Sequence, residues 1–118
     1  MSRAPLLAAG ALVVSFASAA GAHSLLTASV PATDAVLASA PQVLALRFNN
    51  RIEKKLSGIR LVPAGGDRRA LPVRTDGALE VLEAPLPPLA PGRYRVEWRV
   101  LSTDGHIVSG TFVFRVSP

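Results

Sequence analysis

The sequence predicts an all-β domain, a sandwich or Greek-key barrel of seven short strands, behind an export leader. Three observations carry this expectation. Apolar and polar residues alternate at a period of two, and no helical period is sustained after residue 23. Turn residues recur between the alternating runs. The length of 118 residues allows one domain at most, on a prior of ~150 residues per domain.

The leader comes first. Arg3 is a minimal positive start, residues 6–19 are uncharged and mostly apolar, and Ala20-Gly21-Ala22 fits the small-x-small rule of signal peptidase. The apolar run is shorter than the ~20 residues of a membrane span and rich in small residues. Residues 1–22 are therefore expected to be a cleaved signal peptide, and residues 23–118 an exported domain. With no cysteine, that domain must be held by its core alone.

The strands follow. Leu44, Leu46 and Phe48 alternate with Ala45, Arg47 and Asn49. Tyr94, Val96, Trp98 and Val100 alternate with Arg95, Glu97 and Arg99. Phe112, Phe114 and Val116 alternate with Thr111, Val113 and Arg115. Residues 25–30, 58–62, 71–74 and 79–83 are shorter candidates. Turn signals separate them at 31–34, Pro41, 64–67, Asp76-Gly77, 85–92 and Asp104-Gly105. The charged stretch 51–56 is expected to form a short helical turn or an exposed loop. The proline-rich 85–91 reads as a rigid connection between strands. Parity assigns Trp98, Phe48, Phe112 and Phe114 to the core. It assigns Arg95, Arg99 and Arg115 to a solvated face, the alternative being a docking patch for an acidic partner.

Composition removes many chemistries. There is no cysteine, the one methionine is Met1, and there are two histidines. Disulfides, iron–sulfur clusters, blue-copper ligation and cysteine nucleophiles are excluded. No G-x-S-x-G elbow occurs, and no Gly-rich phosphate loop opens a helix. A formal net charge of +5 would permit nucleic acid, but export removes that partner.

Two features remain. One is His23 at the expected mature terminus. A terminal histidine offers its α-amine and its ring Nδ1 as a six-membered chelate, and metals deprotonate both groups near neutral pH. Two nitrogens at a right angle suit tetragonal Cu(II). The other is the turn Ser102-Thr103-Asp104-Gly105-His106, where Gly105 allows a tight backbone and Asp104 and His106 can point to one place. His23, Asp104 and His106 together form a Cu(II)-type ligand set, which Zn(II) could also use.

The ordered motifs resemble the CopC family of periplasmic copper-binding proteins. They are the cut before His23, Ser29-Val30-Pro31-Ala32, Leu46-Arg47-Phe48, Ser57-Gly58, residues 89–100, residues 102–106 and Gly110-Thr111-Phe112. The resemblance implies a seven-stranded Greek-key β-barrel of immunoglobulin-like or cupredoxin-like kind. It implies one Cu(II) per chain, held by His23, Asp104 and His106. It also implies a CopD-type inner-membrane partner for a monomeric, non-enzymatic carrier or buffer in copper resistance. Two departures stand out. The region that carries a methionine-rich Cu(I) loop in some members is here residues 63–69, without Met or His, so no Cu(I) site is expected. The Glu that some members place near Cu(II) is replaced by Asn49 and Asn50, and Asn50 is expected in a supporting role beside a bound water or Asp104.

Two other readings compete. A small copper-dependent oxidative enzyme would share the terminal chelate but needs a flat substrate surface. A metal-free immunoglobulin-like adaptor would follow if the mature chain does not start at His23.

Overall fold

The computed structural model describes residues 25–118. They form two sheets. Strands β1 (Leu26–Val30), β3 (Val43–Phe48) and β6 (Val81–Pro85) make a three-stranded sheet in the order β1-β3-β6. Strands β2 (Val36–Leu37), β4 (Gly58–Pro63), β5 (Arg69–Leu71), β7 (Gly92–Leu101) and β8 (Ile107–Val116) make a five-stranded sheet in the order β2-β8-β7-β4-β5. All pairings are antiparallel except β2 with β8. The chain leaves the β4–β5 hairpin for β6 in the other sheet, then returns in β7 beside β4.

Alternation puts the core between the sheets. Leu44, Leu46 and Phe48 of β3 and Leu82 and Ala84 of β6 face Ile59 and Leu61 of β4, the inner row of β7, and Phe112, Phe114 and Val116 of β8. All the aromatic side chains among the described residues are buried there. Trp98 meets Phe48 edge to face at 5.2 Å, and Tyr94 stacks on Phe114 at 5.4 Å. The Tyr94 hydroxyl donates to the Ala90 carbonyl, which pins the proline-rich connection to the start of β7.

The expected strands are present, with shifts that have local causes. β5 ends at Leu71 because Pro72 has no N–H to donate. β6 begins at Val81 because residues 78–81 form a turn, with the Val81 amide donating to the Ala78 carbonyl. β8 starts at Ile107, four residues before the alternation becomes clear. The eighth strand, β2, is a two-residue parallel pairing with no sequence signal. Within 51–56 a 3₁₀ turn covers Lys54–Leu56. That stretch is not simply exposed, because Ile52 joins the core and Lys54 is buried with its ammonium donating to the Asp76 carbonyl.

The longest ladder joins β7 to β8 over ten pairs, from Gly92–Val116 to Leu101–Ile107. Trp98 lies opposite Gly110, and a Cβ added there would collide with the indole ring. Gly110→Ala should therefore cost about 1–3 kcal/mol of stability. Gly58→Ala, with open space at the Cβ position, should change it by less than about 0.5 kcal/mol. Chemical denaturation of both variants checks this.

Candidate metal centre

The β7–β8 turn is built to hold a fixed shape. The Ser102 amide donates to the His106 carbonyl at 2.8 Å, and the Gly105 amide to the Ser102 carbonyl at 2.9 Å. Gly105 has φ +92°, a conformation that glycine adopts without strain. The closed turn brings Asp104 and His106 together. Asp104 Oδ1 accepts from the His106 amide at 3.2 Å and lies 3.1 Å from His106 Nδ1. A carboxylate on one ring nitrogen fixes the ring's orientation, with Nε2 at its opposite edge. Both side chains reach solvent, 53% exposed for His106 and 33% for Asp104.

Partial burial raises the Asp104 pKa. The Ser102 hydroxyl and the His106 ring and amide lower it, and they prevail, so it falls below its ordinary 3.8. The Ser102 side chain is buried under the turn, and its Oγ meets no partner of good hydrogen-bond geometry.

The turn is anchored to the end of β3. The Thr103 amide donates to the Arg51 carbonyl at 3.2 Å, Ser102 bridges Ile52, and the Glu53 amide donates to the Leu101 carbonyl at 2.8 Å. The same segment holds the start of β1. The Leu25 amide donates to Asn49 Oδ1 at 2.7 Å, and the Asn49 amide donates to the Leu25 carbonyl at 3.0 Å. Residues 49–52 thus tie Leu25 on one side and the Asp104–His106 turn on the other.

His23 lies outside the described residues, two positions before Leu25. Among the described residues no group of three or more His, Cys, Asp or Glu side chains converges. Asp104 and His106 come together as expected. Asn50 is half-buried on the anchoring segment, and its Oδ1 accepts from the Arg51 amide at 2.9 Å. Sequence reasoning missed Asn49, whose side chain fastens the start of β1. An amide residue directly after a strand was the available signal.

A small β-sandwich with an imidazole and a carboxylate on the turn of its longest hairpin defines a class of protein with nitrogen and oxygen donors at one end. Residues 26–117 match the CopC domain model, and the chain belongs to the CopC family. Copper resistance protein C of Escherichia coli is 34% identical over 116 residues, 91% of each chain. Copper transport protein CutJ of Bacillus subtilis is 30% identical over 98 residues, which is 80% of this chain and 18% of that one. The crystal structure of CopC from Methylosinus trichosporium OB3b superposes with a TM-score of 0.75 at 33% identity, covering 81% of this chain and 95% of that one. PcoC, a methionine rich copper resistance protein from Escherichia coli, gives 0.69 at 29% identity, covering 80% and 99%.

The lowered Asp104 pKa has a consequence for the metal-free protein. The ionised carboxylate stabilises the turn above its unfolded value, and that stability is lost as pH falls through the lowered one. The stability gap between the parent and Asp104→Asn should be full near pH 7 and close below pH 3.8. Urea titrations across that range measure it, and a gap independent of pH would contradict the assignment.

Proposed function

We propose that the protein is a non-enzymatic carrier or buffer for copper in the periplasm, holding one Cu(II) per chain. The ligands in this reading are the α-amine and ring of His23, the ring of His106 and a carboxylate oxygen of Asp104. Cleavage of residues 1–22 creates the amine ligand, since an amide nitrogen in the precursor would have to lose its proton to bind. Asp104 also offsets part of the metal charge, and Asn50 offers its side-chain NH₂ to a bound water or to Asp104.

The observation that carries this reading is the double role of residues 49–52. Asn49 fastens Leu25, and the Arg51 carbonyl two residues on holds Thr103 of the turn. Two residues reach about 7 Å. Three nitrogens and a carboxylate oxygen would then make a set that suits tetragonal Cu(II). The names of the relatives, copper resistance and copper transport proteins, support copper as the cargo. The sole methionine, Met1, supports the reading that no thioether Cu(I) site is present.

The burial of every aromatic side chain among the described residues favours a carrier over an oxidative polysaccharide enzyme, which would need an exposed aromatic platform. In this reading the carrier is a monomer that works beside a CopD-type inner-membrane protein, and the match to a longer copper transport protein, CutJ, of which this chain spans 18%, supports transport as the setting.

The test is a Cu(II) titration read by EPR on protein starting at His23. One tightly bound Cu(II) with several nitrogen couplings is expected. One extra Gly before His23 should abolish that spectrum, and His106→Ala should weaken binding by at least about tenfold. Identical behaviour of the parent and the Gly-extended form would remove the amine from the site and favour the metal-free adaptor.

A further inference from the structure

The outer face of the five-stranded sheet is strongly basic. Arg60 of β4, Arg93, Arg95 and Arg99 of β7 and Arg115 of β8 all lie on it, exposed. Its acidic residue on these three strands is Glu97, which is already engaged. Arg68 holds both its oxygens, at 2.6 and 3.3 Å, and Arg95 lies 3.3 Å from the second. Among the described residues Arg60, Arg99 and Lys55 have no ion-pair partner. Arg93 and Arg115 are direct cross-strand neighbours. Like charges in that position destabilise a sheet, so folding gains nothing from the arrangement.

The face is not flat. A groove of about 680 Å³ opens at its β4–β7 end, with Lys55, Arg60 and Arg99 along it and Glu97, whose carboxylate Arg68 and Arg95 already hold, opposite Arg60. Gly58 supplies no side chain there, and Leu56 stands at the rim, 69% exposed. Arg99 is paired with Ser109, three residues from His106 along β8. The groove therefore begins about 10 Å along the hairpin from the Asp104–His106 turn.

We infer that this groove docks an acidic, extended segment of a partner protein, with carboxylates on Lys55, Arg60 and Arg99 and an apolar residue against Leu56. Guanidinium groups pair with carboxylates in a fixed, two-pronged geometry, which gives orientation as well as attraction. A concave site suits a peptide, whereas a bilayer surface would meet only the projecting arginines. A second copy of this chain docking face to face would meet the same arginines and be repelled. Docking here would set a copper acceptor beside the turn. That last step rests on the proposed copper site, but the docking does not.

The experiment uses the full metal-free chain made with its own leader, at low ionic strength. The probes are a fluorescent ten-residue glutamate peptide and vesicles containing phosphatidylglycerol. The peptide should bind, weaken with salt, and shift the amide NMR signals of Leu56, Arg60 and Arg99. The double variant Arg60→Glu/Arg99→Glu should weaken peptide binding by at least about tenfold. Arg93→Glu/Arg115→Glu makes the same charge change at the other end of the face and should cost less than about threefold. Equal losses in the two variants would show a diffuse charge effect and overturn the groove. Vesicle binding without peptide binding, or no binding to either probe, would overturn it as well.

Discussion

The ten-pair ladder between β7 and β8 is the constraint on which the rest depends. It keeps Tyr94, Val96, Trp98 and Val100 in phase with Phe112, Phe114 and Val116, so one face of each strand can be wholly apolar. A slip of one residue would turn those side chains to solvent. The ladder also needs Gly110, because the indole of Trp98 occupies the space above it. At its far end the same register delivers Asp104 and His106 on a closed turn, so the core that stabilises the fold also aims the donor pair.

The second requirement is a link between the two sheets at that end. Residues 49–52 provide it. They leave β3, fasten Leu25 through Asn49, and then pair with the end of β7 and the turn. Asp104 spends one oxygen on the amide and ring of His106, which lowers its pKa and fixes the ring. The site is thus organised by backbone hydrogen bonds and one carboxylate, without cysteine or a buried charge. An exposed donor pair of this kind suits the proposed carrier role, in which a metal is taken up and released.

Much of this was legible in the sequence where a long strand repeats its alternation. β3, β7 and the second half of β8 announce themselves through Leu44 to Phe48, Tyr94 to Val100 and Phe112 to Val116. The first half of β8 does not, because Ile107 and Val108 are adjacent apolar residues and Ser109 and Gly110 have little strand preference. β2 was hidden, since two residues cannot show a period. Ile52 and Lys54 looked exposed within a charged run, yet tertiary contacts bury one in the core and satisfy the other through the Asp76 carbonyl. The Asp104–His106 pairing followed from their spacing across Gly105. The role of Asn49 did not, because it depends on which strand lies beside it.

In the proposed site, a chain starting at His23 and the hairpin turn meet over residues 49–52 around one metal ion. The most direct test is paramagnetic broadening of amide NMR signals when one equivalent of Cu(II) is added to protein that starts at His23. Signals of residues 24–26, 49–52 and 102–107 are expected to disappear together while those of β5 remain sharp. Broadening confined to residues 102–107, with 24–26 untouched, would contradict it.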